Sequence, residues 1–258
     1  TNYKLSSKSN LLFNYNGNFA NDRSVFNSSA FGENIDYNDE GFSKNKNYNN
    51  ELSLQYKTKL DTLGRTLDVT AFLNTFDKTP INQSSGLNSG NIPSYNNGII
   101  DFNLTNYYLK YDFAIPFNKL DFTINTGGKY NSIKVNNFGQ YNINSSTNTI
   151  FDSNNYAESI NFNYNESNLA FYVEVRKKIK KFNFTVGLRL EDFDVKREAS
   201  TIADKIEYRN TNLFPNISAL YEISPQVNFS SSYSRKIAQP NYNTIDPNNS
   251  SNFNQYNT

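Results

Sequence analysis

Carboxylates, amines, hydroxyls and amides are the chemically able side chains of this 258-residue sequence, which contains no Cys and no His. Thiolate and imidazole nucleophiles, imidazole bases, disulfides and the usual zinc ligands are therefore excluded. What is left is acid/base work by paired carboxylates, phosphate binding, or ionic and hydrogen-bonded contact. The first two lack the spacing they need. Glu191 and Asp192 are adjacent in an alternating segment, so their side chains point to opposite faces and share no site. Gly127-Gly128 lacks the strand–turn–helix setting of a phosphate loop. Glycine there reads as relief of crowding between a wall of strands and whatever fills it. Lys177, Lys178, Lys180 and Lys181 form the densest basic cluster, but the formal net charge is only +1. A nucleic-acid footprint would be distinctly basic, and the cluster reads as a solvated turn. No catalytic residue, metal ligand or cofactor is assigned, and neither an enzyme nor a nucleic-acid partner is expected.

Contact residues of two kinds remain. Glu51, Lys57, Lys59, Asp68, Asp121, Lys129, Glu174, Arg176, Arg189 and Glu191 fall on the polar side of alternating segments. They suit a wall that holds a polar filling through ion pairs and hydrogen bonds, although a merely solvated face would carry the same residues. The second kind are rings among amides in long polar stretches, represented by Tyr37, Tyr95, Tyr141 and Tyr156. A broad apolar ring face beside directional amides suits ligand capture, and equally suits loops packed on one another.

The elements that must position these residues are strands. In 182–190, Phe182, Phe184, Val186, Leu188 and Leu190 alternate with Asn183, Thr185, Gly187 and Arg189. Leu52, Leu54, Tyr56 and Leu60 repeat the scheme, as do Leu120, Phe122 and Ile124. Weaker versions cover 11–19, 67–73, 169–175, 217–223 and 227–233, with a less regular segment at 101–113. About nine strands follow, wet on one face and apolar on the other. No run of 18 apolar residues exists to make a membrane helix. The composition is unusual: 47 Asn, 40 Phe and Tyr together, no Trp, and a mean hydropathy of -0.72. Low hydropathy alone would suggest disorder, but disordered chains are poor in aromatics.

Short connections near 61–64, 115–119, 177–181 and 224–225 alternate with long polar ones at 21–46, 78–98, 134–156 and 195–212. All short turns therefore lie at one end of the sheet and all long loops at the other. Several of those loops exceed what compact soluble domains use. Short periplasmic turns, long extracellular loops, an apolar belt and a polar interior describe an outer-membrane barrel. Nine strands do not close one, so a part of a larger barrel is expected.

Several strings go further. Asp112, Phe113, Pro116, Lys119, Leu120, Gly128, Lys129 and Tyr130 resemble a hairpin of the TonB-dependent receptor-like outer-membrane proteins of Bacteroidetes. Phe162, Tyr164, Glu166, Ala170 and Tyr172 are similar to the strand that follows it. Gly187-Leu188-Arg189-Leu190-Glu191, Leu213-Phe214-Pro215 and Ser232-Tyr233-Ser234-Arg235-Lys236 with Pro240 and Tyr242 continue the likeness in order, and Asp246-Pro247 stands where Asn-Pro is usual. The resemblance is strongest over about 105–247. It implies an all-β, antiparallel transmembrane barrel segment, about nine strands of a complete barrel of 22, in the Gram-negative outer membrane. It also implies import of a scarce ligand (an iron chelate, vitamin, glycan or peptide). The partners it implies are a plug domain, the remaining strands, the TonB complex acting through the plug, membrane lipid and a surface lipoprotein. Residues 1–258 are expected to form one partial barrel domain, lacking the plug, TonB box, signal peptide and carboxy-terminal closing strands. A non-transporting adhesin or assembly accessory with a receptor-like barrel, and a soluble all-β binding module, are the alternatives.

Overall fold

The structure, a computed structural model, describes residues 1–32, 35–88, 92–145, 158–200, 202–237 and 241–246. Ten strands form one antiparallel meander in chain order: β1 (Asn2–Lys4), β2 (Ser9–Gly32), β3 (Ile35–Lys59), β4 (Thr66–Asn88), β5 (Ile92–Phe117), β6 (Phe122–Ser145), β7 (Glu158–Ile179), β8 (Phe182–Ala199), β9 (Ile202–Ser224) and β10 (Val227–Ser234). A short helix, α1 (Tyr242–Ile245), follows. The nine expected strands are β2–β10; β1 is an addition. Among the described residues β1 and β10 are the two edges of the sheet, which is consistent with part of a barrel.

The turns at one end are short and chemically specified. Asp61 Oδ1 accepts from the backbone N–H of Leu63 (2.9 Å) and Arg65 (3.1 Å), and Gly64 supplies a φ of 95° that costs a glycine little. The β5–β6 turn is bracketed by the stacked rings of Phe117 and Phe122, 4.5 Å apart. Asp121 takes a φ of 49° in that turn, and Lys180 a φ of 55° in the β7–β8 turn.

The opposite ends differ from the sequence expectation. Most of 21–46, 78–98, 134–145 and 195–212 is strand rather than loop, so β2–β9 run 18 to 26 residues. A transmembrane strand needs only about 9–11. The excess exists because the sheet changes its dry side part-way along. On β5, Tyr107, Leu109, Tyr111, Phe113, Ile115 and Phe117 occupy one face, here called outer. That span is roughly 33 Å along the strand, or roughly 25 Å of height at a ~40° tilt, the height of a lipid-facing belt. Beyond it the outer face turns polar at Thr105, Asn103 and Asp101, while Leu104, Phe102 and Ile100 make the inner face apolar. The neighbours switch at the same level. Leu169 and Phe171 give way to Asn165 and Asn163 outside, and Tyr164 and Phe162 become the inner residues.

Above the switch the inner face has its own small core. Val135, Phe162 and Tyr164 are at most 1 % exposed, with Phe102, Leu104, Ile133, Val195, Tyr242 and Ile245 packed around them. Tyr242 and Ile245 belong to α1, so the chain leaves β10 at the sheet edge and returns to cover β5–β7 from inside. Asn241 caps the helix by accepting from the Thr244 N–H at 3.1 Å.

Candidate functional site: the inner wall below the switch

Strand register brings the polar residues of the lower inner face into rows. One row runs Lys57, Asp68, Asp112, Gly127, Tyr172, Arg189 and Phe214 across seven strands. The next holds Gln55, Thr70, Lys110, Lys129, Ala170 and Glu191. Side chains along and between the rows pair with one another. Lys57 Nζ lies 3.4 Å from Asp68, and the Gln55 amide donates to both Asp68 oxygens at 2.9 and 3.0 Å. Lys110 is 2.7 Å from Asp112. Arg189 meets Glu191 at 2.5 Å, and Asn168 donates to the same carboxylate at 3.0 Å. Arg176 meets Glu174 at 2.6 Å. These pairs are part-exposed, so each contributes on the order of 1 kcal/mol or less; their effect is to fix side-chain directions. Lys129 has no carboxylate within ion-pair distance among the described residues and sits 4.5 Å from the Tyr108 ring centroid.

Gly127 makes this arrangement fit. The Tyr172 ring lies across it, and the Tyr172 hydroxyl donates to Asp112 Oδ1 at 2.5 Å. A Cβ at Gly127 would sit 2.5 Å from the Tyr172 ring and closer still to the Tyr111 carbonyl oxygen. Gly128 does the same on the outer face, where the Tyr111 and Phe171 rings close over it. The crowding that these glycines relieve thus comes from rings of the adjacent strands, rather than from a filling of the interior as the sequence suggested.

Glu51, Lys57, Lys59, Asp68, Lys129, Glu174, Arg176, Arg189 and Glu191 all share the inner face. Asp121 does not. It is an exposed turn residue, because β6 begins only at Phe122 and the turn needs its left-handed backbone. Of the four tyrosines, Tyr95 is half-buried in β5 and Tyr141 is buried in β6, both within strands rather than loops. Burial, with the Asp246 carboxylate near, pushes the Tyr141 phenol well above its ordinary value. Tyr37 lies in β3 with its side chain outside the described residues, as is the whole of Tyr156. Glu191 and Asp192 do face opposite ways: Asp192 is outside, bound by Arg209 at 2.7 Å and Thr211 at 3.0 Å. In the basic cluster, Lys178 at the end of β7 pairs with Glu222 at 2.9 Å, and Lys181 in the turn donates to the Ile223 carbonyl. Sequence reasoning missed Lys110, Gln55 and Asn168 as partners in the ladder. Parity along β3, β5 and β7 was the available signal for them.

A further set of atoms marks the same face. Oδ1 of Asn106, Asn168 and Asn216 and Nε of Arg197 are buried, yet none has a hydrogen-bond partner among the described residues. Buried polar atoms are nearly always paired. No group of three or more acidic residues able to hold a metal occurs among the described residues. Asp68, Asp112, Glu174 and Glu191 are each tied to a neighbouring cation, an arrangement suited to ionic and hydrogen-bonded contact.

Comparison with known proteins agrees with this geometry. A model of the outer membrane protein beta-barrel family matches residues 58–258. A search of curated protein sequences found no match. Among solved structures, the ferric citrate transporter FecA is similar with a TM-score of 0.45 and 11 % identity, over 88 % of this chain and 42 % of that one. The alcaligin receptor FauA from Bordetella pertussis gives 0.42 and 13 %, over 90 % and 44 %. The ferripyoverdine receptor of Pseudomonas aeruginosa gives 0.43 and 12 %, over 88 % and 42 %. The chain spans less than half the length of each of these three. The apolar belt, the polar inner face and the family match over more than three quarters of the sequence agree: the chain belongs to the outer membrane protein β-barrel family, which places it in the outer membrane and not among enzymes.

Proposed function

We propose that this chain is barrel wall of a TonB-dependent receptor that imports a scarce ligand across the outer membrane. In this reading a plug domain fills the barrel against the charge ladder of β3–β8, and further strands complete a barrel of about 22. The observation that carries it is the inner face below the switch. It is polar along seven strands and pre-ordered by its own ion pairs, whose charged ends remain part-exposed toward the interior. A close-packed polar domain would meet these charged side chains with charges and hydrogen bonds of its own. Lys57, Lys129, Glu174, Arg176, Arg189 and Glu191 are the proposed plug contacts, with Glu51 beside them, and TonB acts through the plug.

The test uses the full-length receptor. In planar bilayers the wild type stays closed until urea releases the plug, whereas a Lys129→Ala/Arg189→Ala variant opens at lower urea. An unchanged opening threshold overturns the plug contacts. Ligand-limited growth that persists after deletion of TonB overturns import and favours a non-transporting surface role.

A further inference from the structure

The charges of this chain are not spread evenly between the two ends of the sheet. The short-turn end (residues 1–9, 57–66, 115–123, 174–185 and 221–227) carries 11 Lys and Arg against four Asp and Glu, whereas the rest carries 14 against 20. The short turns of an outer-membrane barrel face the periplasm, so the excess cations lie by the periplasmic leaflet.

The densest group surrounds a notch in the rim. β6 begins at Phe122, paired with Lys177, while β7 runs on to Ile179. A cavity of about 620 Å³ opens there, between the β5–β6 and β7–β8 turns. Four cations line it: Arg176, Lys177, Lys178 and Lys180. Two of them are already paired, Arg176 with Glu174 at 2.6 Å and Lys178 with Glu222 at 2.9 Å. Lys177 and Lys180 have no carboxylate within ion-pair distance among the described residues, Asp121 of the same lining included.

Lys177 is the residue that a solvated turn does not explain. It lies on the outer face, between Val175 and Ile179 along β7, and its cross-strand neighbours are Phe122 and Phe184. Phe117 stacks on Phe122 in the same row. An exposed cation thus stands within an aromatic row at the lower edge of the lipid-facing belt. Rings and long Lys side chains belong together at the level of the lipid headgroups. An anion at that level supplies the missing counter-charge, and basic residues beside a bilayer draw acidic lipid.

We propose that this notch is a headgroup site for an anionic glycerophospholipid of the periplasmic leaflet. Lys177 and Lys180 meet its phosphate, and Phe117, Phe122 and Phe184 lie against the top of its acyl chains. The site needs only the barrel's place in the outer membrane, so it stands apart from the import reading.

Native mass spectrometry of the full-length protein in detergent, offered phosphatidylglycerol and phosphatidylethanolamine at equal concentration, tests it. Wild type is expected to retain phosphatidylglycerol in preference, and a Lys177→Ala/Lys180→Ala variant to retain about tenfold less of it. Lys4→Ala/Lys8→Ala removes two rim cations away from the notch and should leave retention unchanged. Heat-modifiable gel migration checks that each variant folds, and the choice between the two lipids needs no variant. Equal retention of both lipids, retention of neither, or undiminished retention by the folded Lys177→Ala/Lys180→Ala variant would overturn the site. An equal loss on removing Lys4 and Lys8 would show a diffuse field, and displacement of the lipid by equimolar inorganic phosphate a bare anion site; either overturns the proposal.

Discussion

Replacing Gly127 by Ala adds one carbon at the most crowded point of the inner wall, and its cost can be worked from the geometry. The new Cβ would lie 2.5 Å from Cε1 of Tyr172 and nearer to the Tyr111 carbonyl oxygen, which is backbone of β5 and cannot swing aside. Overpacking of this kind costs about 1–3 kcal/mol. Displacing the Tyr172 ring also breaks its 2.5 Å bond to Asp112. A hydrogen bond to a charged group contributes about 1.5–3 kcal/mol, and part exposure of Asp112 argues for the lower end. Alanine recovers about 0.5–1 kcal/mol by reducing the freedom of the unfolded chain. The net expectation is a loss of about 2–4 kcal/mol. Urea unfolding of the full-length protein in detergent, followed by circular dichroism, gives the measurement. A double-mutant cycle with Tyr172→Ala separates the two contacts, since the ring contribution should vanish in that background while the Tyr111 contribution stays. A Gly127→Ala variant within about 0.5 kcal/mol of wild type, or one whose cost is unchanged by Tyr172→Ala, would refute the packing argument.

Two more outcomes follow from the change of dry side. Phe113→Arg, in the middle of the outer belt, should destabilise the folded barrel in lipid by about 2–4 kcal/mol, whereas Asn103→Arg, further along the same face but above the belt, should cost close to nothing. Equal effects of the two in lipid vesicles would contradict the boundary. The Tyr141 phenol is raised, so the folded state keeps its proton where the unfolded chain loses it. Its contribution is complete below the ordinary tyrosine pKa of about 10 and is lost as pH rises beyond it. Tyr141→Phe should therefore lessen the fall in stability at alkaline pH, and an unaltered pH profile would count against the buried, protonated phenol.

Much of the lower sheet was legible because a single rule governs it. From Leu52 to Tyr56 or Phe182 to Leu190, every second residue faces lipid, and period two shows this directly. The β3–β4 turn was legible through Asp61 and Gly64, whereas Pro116, read as part of a turn, lies inside β5 paired with Thr123. The upper sheet was hidden by the same rule. Between Leu104 and Tyr107 the apolar residues slip from even to odd positions, and between Tyr164 and Leu169 they slip again, as the dry side passes from outside to inside. A window spanning the slip averages to no pattern, which made 101–113 irregular and made 134–145 look like loop. Face assignments of the charged residues followed from parity and hold for nine of ten. Asp121 failed because parity was extended one residue past the strand end. The α1 core was out of reach for another reason: nothing local in Tyr242–Ile245 says that it folds back over β5–β7, and the Asn137–Asp246 contact spans 109 residues.

The change of dry side is the claim on which the wall and the proposed plug surface both depend. Cysteine-scanning spin labelling along residues 100–117 of β5, with the protein in lipid, tests it most directly, and these 258 residues contribute no competing cysteine. The expected profile is oxygen accessibility at odd positions from 107 to 117 only. Positions 101, 103 and 105 should be open to a water-soluble nickel reagent instead, and 100, 102 and 104 shielded from both. Oxygen accessibility that continues at odd positions through 101, or that falls on even positions, would contradict the account.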